Sequence, residues 1–369
     1  MSKKSQKRIA IFLHGLYEGG AERTILNLAE GMASYGYSVD LVLAKAAGPF
    51  LSQIPDGIRM IDLKSSRVLF SLQALTRYIR KELPDAMLSA IDYTNIIALL
   101  AQRIVNKPNN LVVVEQNTLS QRKTQLPYLY RKLLPTLIRL FYPWAGCIVA
   151  VSRGVADDLA ITTGLRRDDI RIINNPIITQ ALRKKSQEIL IHPWFEPGQP
   201  PVLISVGRLS EQKDFPNLIR AFAKVRENRV ARLMILGEGE DRPILEKLAK
   251  ELGISDEVSM PGFVENPYPY MSNASVYVLS SKWEGLPTVL VEALYCGIPI
   301  VSTDCPSGPR EILQEGLFGQ LVPVGNAEIL GLAIQDALDG KTPVAPPISW
   351  TPYTVENILI QYNQALFGT

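Results

Sequence analysis

Apolar runs of strand length alternate with stretches of helical period along this chain, and the alternation occurs twice, on either side of a break. In the first series "RIAIFLH" leads through a glycine-rich loop into "AERTILNLAEGMASYG", where Ile25, Leu28, Ala29 and Met32 share one helical face. "VDLVLAK", "AMLSAI", "LVVVEQN" and "CIVAVS" read as further strands, with "NIIALLAQRIV" and "GVADDLAITTG" as helices among them. The break, "INNPIITQALRKKSQEILIHPWFEPGQPP", has no long period and is rich in turn formers, as an interdomain connection is. The pattern then restarts with "VLISVGRL", "FPNLIRAFAKVREN", "RLMILGEG", "DRPILEKLAKELG", "VSMPGF", "VYVLSS", "TVLVEALYCG", "PIVSTD" and "QLVPV".

Strands alternating with helices predict parallel sheets covered on both faces. The expected fold is therefore α/β, with two Rossmann-like domains facing each other across a cleft. Residues 1–177 form the N-terminal domain, 178–199 the connection, and 200–350 the C-terminal domain. Residues 351–369 form a last helix that packs on whichever domain leaves its apolar face uncovered. Ligands of such sheets bind beyond the carboxyl ends of the strands, so the loops there carry the chemistry.

A chain of 369 residues suits two domains, each with its own core. At 47% hydrophobic and 20% charged it has a globular balance, and a net charge of +3 lacks the basic footprint of duplex binding, so no nucleic acid is expected. Cys147, Cys296 and Cys305 lie in or beside apolar segments without metal-ligand spacing, which points to small buried side chains and a reducing cytoplasm. The start "MSKKSQKRIAIFLHG" reads as a short solvated tail entering a strand, and no run approaches the roughly 18 apolar residues of a membrane span.

Three loops at strand ends stand out. "GLYEGGAER" places Gly15, Gly19 and Gly20 before a helix, where close backbone approach and free amides suit an anion, although a tight turn explains the same glycines. "VGRLSEQKDF" sets Arg208 directly after Gly207, with Lys213 five residues on. That pair suits a diphosphate, or else serves solubility. "SKWEGLPTVLVEALYCG" puts Glu284 in an exposed loop, Pro287 in the first turn of the following helix, and Glu292 one to two turns inside it. The amides of Gly285, Leu286, Thr288 and Val289 then lie at the helix start. Glu292 sits on a helix otherwise apolar almost all round, so it needs a partner, either a ligand or a nearby cation such as Arg310.

"EGLPTVLVE", with "GGAER", "GRLSEQK", "GEGEDR" and "DCPSGPREIL" in the same order along the chain, resembles the retaining glycosyltransferases of family 4, which have the GT-B fold. The "DCPSGPREIL" form is similar to bacterial enzymes that build surface polysaccharides or lipid-linked oligosaccharides from UDP-hexoses or UDP-N-acetylhexosamines. The resemblance implies that Glu292 holds the ribose hydroxyls and Glu284 those of the donor sugar. Arg208 and Lys213 would bind the diphosphate and offset leaving-group charge. Gly19 and Gly20 would let the first domain approach the donor, together with Gly207, Gly285, Leu286, Pro287, Thr288 and Val289 around the phosphates. Gly262, Phe263 and Val264 stand where the family contacts the base. No metal is implied, and no DxD occupies the expected place.

Relatives often carry a His after the strand that corresponds to "LVVVEQNT", where this chain has Gln116 between Glu115 and Asn117. A neutral amide can orient a hydroxyl but cannot serve as a base. His14, Asp92, Asn95 and Gln116 are the acceptor-side candidates, with a turn-forming loop as the other reading of "AIDYTN". Residues 121–146 mix Arg122, Lys123, Arg131, Lys132 and Arg139 with Leu, Tyr, Phe and Trp. Such a segment suits a helix lying on an anionic bilayer, where a polyprenyl-linked saccharide would be presented, or a helix packed on the sheet with snorkelling cations. The expected location is the cytoplasm or the inner face of the cell membrane. Rival readings are a nucleotide-sugar-binding protein without transfer activity, a GT-B UDP-sugar epimerase, and a dinucleotide oxidoreductase, the last disfavoured by the missing GxGxxG.

Overall fold

The computed structural model describes residues 6–17, 19–106, 110–122 and 128–368. They divide into two compact units, 1–177 with 353–369, and 178–352. The first contains β1 (Arg8–Leu13), α1 (Gly20–Ser34), β2 (Ser38–Leu43), β3 (Arg59–Asp62), α2 (Leu72–Glu82), β4 (Ala86–Ala90) and α3 (Asp92–Val105). It continues through β5 (Asn110–Glu115), α4 (Leu119–Arg122), α5 (Tyr128–Phe141), β6 (Cys147–Ala150), α6 (Arg153–Thr163) and β7 (Ile170–Ile172). Its sheet is parallel in the order β3-β2-β1-β4-β5-β6-β7. The central strands β1, β4 and β5 are almost wholly buried, which is why they read as unbroken apolar runs.

The second unit contains α7 (Gln180–Lys185), β8 (Val202–Val206), α8 (Phe215–Asn228), β9 (Arg232–Leu236), α9 (Arg242–Glu251), β10 (Val258–Gly262) and α10 (Tyr268–Asn273). Then follow β11 (Val276–Leu279), α11 (Thr288–Cys296), β12 (Ile300–Thr303), α12 (Pro309–Ile312), β13 (Gln320–Val322) and α13 (Ala327–Leu338). Its parallel sheet runs β10-β9-β8-β11-β12-β13, and the order reverses between β8 and β11, as at a doubly wound switch point. One face carries the apolar core of Leu203, Phe215, Phe222, Leu233, Val276, Val278, Leu330 and Ile334. Gly331 lets α13 lie close on α8, since a Cβ there would stand 3.1 Å from the Ala221 carbonyl oxygen. The stretch expected to be a bare connection carries α7, whose N-cap Thr179 side chain accepts from the Leu182 amide.

The chain returns to the first unit in α14 (Val355–Phe367), which buries Ile358, Leu359, Tyr362, Ala365 and Leu366. Its last carbonyls, at Ala365 and Leu366, accept from Asn110 Nδ2 at 2.9 Å each. Gly31 makes room for it on α1, because a Cβ at that position would meet Val355 at 2.5 Å. Cys305 is buried, and burial with the nearby Glu284 charge pushes its thiol up to about 12; Cys147 and Cys296 are half-buried, and all three are free thiols. Among the described residues no helix is long and apolar enough to cross a membrane.

Candidate active site

In the second unit three adjacent strand ends are stitched together by glycines. The Gly207 amide, just past β8, donates to the Leu236 carbonyl at 2.9 Å, and the Gly237 amide, just past β9, donates to the Gly262 carbonyl at 2.8 Å. Gly237 has φ of +144°, and a Cβ there would lie 2.0 Å from the Gly207 carbonyl oxygen, so only glycine closes this seam. Behind it Arg242, from the "GEGEDR" stretch, binds Glu238 at 2.9 and 2.6 Å, Glu246 at 3.0 Å and the Met260 carbonyl at 3.0 Å, tying the turn after β9 to β10. Phe263 follows Gly262 and is 74% exposed, and Val264 is half-buried.

Across this seam lies Lys213. A Cβ on Gly207 would stand 3.1 Å from Lys213 Cε, so Gly207 is what allows the lysine stem to lie flat over the end of β8. Lys213 Nζ reaches Glu284 Oε1 at 2.7 Å, with the side chains 15% and 7% exposed. The same Oε1 accepts from Ser281 Oγ at 2.6 Å, and Oε2 accepts from Gln212 Nε2 at 3.3 Å. The two loops are bound along their backbones as well: Ser280 Oγ donates to the Lys213 carbonyl at 2.7 Å and the Lys282 amide to the Gln212 carbonyl at 2.8 Å. This corrects the placement of Glu284 in an exposed loop: it is a buried carboxylate, ion-paired and hydrogen-bonded. A charge taken out of water is held only when neighbours satisfy it, and here three groups do. Arg208, by contrast, is exposed, so the two cations at this rim are not equivalent.

Pro287 stands immediately before α11 rather than in its first turn, because the helix begins at Thr288. The loop is clasped from behind by Ser307 Oγ, which donates to the Gly285 carbonyl at 2.8 Å. Gly308, at φ of +93°, passes so close that a Cβ would meet Pro287 Cδ at 2.3 Å. Gly285, Leu286 and Pro287 are buried, and Thr288 and Val289 are half-buried. Glu292 lies on the same helix at 7% exposure. Arg310 places its guanidinium on Asp304 and on Glu315, the latter at 2.7 Å.

The first unit gathers polar side chains at the carboxyl ends of β1, β4 and β5. His14, just beyond β1, is half-buried with its ring 5.4 Å from Tyr17 and 6.1 Å from Tyr93. Burial, and then the Lys45 charge, hold its imidazole below the ordinary value, so it is neutral at pH 7. Ile91 has φ of +80°, a conformation a β-branched residue resists, at the junction of β4 and α3. Asp92 follows, buried, with Oδ1 accepting the Tyr93 amide at 2.7 Å. Asn95 Nδ2 reaches the Val114 carbonyl at 3.1 Å, Glu115 Oε1 at 3.2 Å and the Tyr142 hydroxyl oxygen at 2.9 Å, and the Tyr142 hydroxyl in turn donates to Glu115. Gln116 is locked by Asn175, whose Nδ2 donates to its Oε1 at 3.0 Å, while its own Nε2 is buried with no partner among the described residues. The Asn175 bond thereby fixes which end of the Gln116 amide is the donor.

Gly19 caps α1 in extended backbone, and a Cβ there would meet Glu22 Oε2 at 2.4 Å, whereas a Cβ on Gly20 would meet nothing within 4 Å. Glu18 and Lys123 lie outside the described residues, as do the side chains of Arg122, Arg131 and Lys132; Arg139 is exposed on α5. Sequence reasoning missed Gln212, Ser281, Glu115, Tyr142 and Asn175. Gln212 stood inside the quoted "GRLSEQK", and Glu115 beside Gln116, but nothing in their spacing distinguishes a ligand to a buried carboxylate from a surface residue.

Two doubly wound parallel sheets, with a Lys–Glu pair and a helix-borne carboxylate at the carboxyl ends of the second, define a GT-B glycosyltransferase architecture. Residues 18–181 match the family described as Glycosyltransferase Family 4, and residues 186–346 that described as Glycosyl transferases group 1. The chain belongs to this family of glycosyltransferases and is an enzyme of that class. It is 30% identical, over 90% of both chains, to the N-acetylgalactosamine-N,N'-diacetylbacillosaminyl-diphospho-undecaprenol 4-alpha-N-acetylgalactosaminyltransferase of Campylobacter jejuni. It is 28% identical, over 86% of this chain and 85% of the relative, to the lipopolysaccharide core biosynthesis glycosyltransferase LpsE of Rhizobium meliloti. Among solved structures the fold resembles the lipopolysaccharide outer core galactosyltransferase WaaB (TM-score 0.76, 22% identity, 98% and 99% of the two chains). It also resembles Anabaena HepE in complex with UDP and glucose (TM-score 0.78, 19% identity, 99% and 100%).

Proposed function

We propose that the chain is a retaining glycosyltransferase that moves a hexosyl or N-acetylhexosaminyl group from a UDP-sugar to a hydroxyl of a saccharide or lipid-linked saccharide, in polysaccharide or glycan biosynthesis. The observation that carries this reading is the buried Lys213–Glu284 pair, held by Ser281 and Gln212 at the glycine-lined strand ends. Lys213 carries three protons on Nζ and directs one to Glu284, leaving donors for the diphosphate beside the exposed Arg208. In a nearly dry setting that positive charge stabilises the leaving group as it departs. Glu284, anchored from behind, accepts hydrogen bonds from donor-sugar hydroxyls, and Glu292 accepts those of the ribose.

The bond from the anomeric carbon to the β-phosphate oxygen breaks, its electron pair going to the phosphate. The acceptor oxygen then bonds the anomeric carbon on the same face, and its proton passes to the departing phosphate oxygen. Neutral His14 and the fixed Gln116 donor orient the acceptor, with Asp92 and Asn95 behind them. The lipid-linked acceptor is supported by the Campylobacter relative, which is named for a diphospho-undecaprenol substrate, and the UDP donor by the UDP complex of HepE. Contact with a membrane through residues 121–146 is supported by exposed Leu133, Leu140 and Trp144 beside Arg139.

The test is incubation with a panel of UDP-, GDP- and ADP-sugars and a polyprenyl-linked saccharide, the anomeric configuration of the product being read by NMR. Acceptor-dependent transfer from a UDP-sugar with retained configuration is expected. Nucleotide binding without transfer, or an inverted product, overturns the proposal.

A further inference from the structure

The loop that leaves β1 carries an aromatic ring that solvent can reach. Leu16 is the packing residue of this loop and is wholly buried, whereas its neighbour Tyr17 is 41% exposed. The backbone beneath is pinned at three points. The Lys45 amide donates to the His14 carbonyl at 3.0 Å, the Leu16 amide to the Ala47 carbonyl at 2.9 Å, and the Phe50 amide to the Leu16 carbonyl at 3.2 Å. Gly48, at φ of +112°, passes so near that a Cβ would stand 2.0 Å from the Leu16 carbonyl oxygen. A second glycine sets the direction of the tyrosine: a Cβ on Gly15 would meet Tyr17 Cε2 at 2.8 Å, so the ring lies folded back over Gly15. It comes to rest 5.4 Å from the His14 ring at an interplanar angle of 47°. Tyr93, in the first turn of α3, stands edge-on to the same imidazole at 6.1 Å and 76°, with its amide held by Asp92 Oδ1 at 2.7 Å. Three rings thus meet at an angle at the carboxyl ends of β1 and β4.

A tyrosine that serves packing alone is buried, and one that serves solubility alone has no reason to be drawn back over a glycine and against a histidine. In a glycosyltransferase the chemistry that suits such a ring is a sugar. One face of a pyranose is lined by C–H groups, whose positive hydrogens suit the negative face of an aromatic ring, while its hydroxyls radiate at the edge. His14 stands at that edge, with the buried Asp92 behind Tyr93. We infer that Tyr17 is a specificity-determining residue for the acceptor: its exposed ring is the platform on which the acceptor pyranose lies, with His14 and Tyr93 closing the corner. The inference rests on the readings of the acceptor as a saccharide and of these strand ends as its side. It adds a rule of selection, because a sugar whose C–H face is interrupted by an axial hydroxyl fits the platform less well than one whose C–H face is continuous. The pinned loop holds the ring in place before the acceptor arrives, so little ordering cost offsets the contact.

The test is Tyr17→Ala, which removes the ring, beside Tyr17→Phe, which keeps it. Transfer to the polyprenyl-linked saccharide is followed for acceptor KM, donor KM and kcat, and UDP affinity and melting temperature are measured in parallel. Loss of the platform predicts an acceptor KM about tenfold higher in Tyr17→Ala, with donor KM, UDP affinity and melting temperature unchanged. Tyr17→Phe should bring the acceptor KM back to near the wild-type value. The platform also has a spectroscopic signature. In an NMR titration with methyl α-galactoside, methyl α-glucoside and methyl α-N-acetylgalactosaminide in the presence of UDP, the C–H protons of one sugar face should move upfield in the ring current. They should do so with wild type and Tyr17→Phe and stay in place with Tyr17→Ala. An unchanged acceptor KM in Tyr17→Ala overturns the inference, as does a rise in donor KM, a melting temperature that falls with the acceptor affinity, or a Tyr17→Phe variant as impaired as Tyr17→Ala. If no glycoside shifts with the wild type and none competes with the polyprenyl-linked saccharide, the saccharide reading of these strand ends fails and the platform with it. If the glycosides compete and shift alike with wild type and Tyr17→Ala, the platform alone fails.

Discussion

Removing the Lys213 ammonium isolates a carboxylate that the fold has already buried. In Lys213→Ala, Glu284 keeps Ser281 Oγ and Gln212 Nε2 but loses its counter-charge, at a point where its side chain is 7% exposed. Breaking one side of a buried pair typically costs 3–5 kcal/mol; with two hydrogen bonds retained and the lysine at the rim, about 2–3 kcal/mol is expected here. In a unit of 175 residues (178 to 352 inclusive) each kcal/mol lowers the midpoint by roughly 2–4 °C, so its unfolding should fall by about 4–12 °C. The assay is differential scanning calorimetry of Lys213→Ala, Glu284→Gln and the double variant. Because the penalty is an uncompensated charge rather than a lost contact, Glu284→Gln in the Lys213→Ala background should restore most of the midpoint. The kcat should fall by about 10²–10³ in Lys213→Ala and stay low in the double variant, since neutralising Glu284 does not return positive charge to the leaving group. A double variant no more stable than Lys213→Ala would refute the electrostatic account of the pair. Recovery of kcat along with stability would refute the assignment of Lys213 to the leaving group.

Further outcomes follow from the same geometry. Since burial depresses the folded-state pKa of His14 below its ordinary 6.5, the unfolded chain binds the extra proton first, and stability is lost as pH falls below about 6.5. His14→Gln should flatten that acid limb in a series of melting curves between pH 5 and 7, and an unchanged limb would show that the group titrates alike in both states. Gly20→Ala has open space around its Cβ and should keep or slightly raise the melting temperature; a rise in donor KM on that intact fold would mark close approach of the substrate, and unaltered kinetics would leave Gly20 as helix start only. Neutralising Arg122, Lys123, Arg131, Lys132 and Arg139 together should reduce co-flotation with anionic liposomes by about tenfold or more at roughly 1 kcal/mol per cation, whereas equal flotation would place the segment away from the bilayer.

Both sheets were legible because their central strands are buried on two faces and therefore spell unbroken apolar runs. The strands the sequence did not reveal, β3 and β7, are the two edges of the first sheet. "RMID" and "IRI" are short and half solvated, so neither carries an apolar run or a clean alternation. The site was legible as a set of residue types at strand ends and illegible as a set of bonds. Arg208 and Lys213 look alike in "GRLSEQK", yet one is exposed and the other is laid over Gly207 onto a carboxylate 71 positions away. That pairing depends on how β8 and β11 come to lie side by side, and nothing local in either segment encodes it.

The same asymmetry explains Glu284 and Glu292. Local reasoning assigned the harder burial to Glu292, on the apolar helix, and left Glu284 to solvent, but the two are about equally buried, at 7% and 6% exposure. A carboxylate in a loop becomes a core group when the loop is roofed, and here the roof is supplied from other parts of the chain: the 211–213 turn and the Gly308 bend behind Pro287. Glycine is the residue that permits both contacts, at Gly207 under the Lys213 stem and at Gly308 against the proline ring. The loop glycines of this unit therefore have a structural task of their own. Gly207 lets the Lys213 stem lie close enough, with Ser281 and Gln212, for the buried Glu284 carboxylate to be held in place by the fold itself, as a preorganised charged site requires.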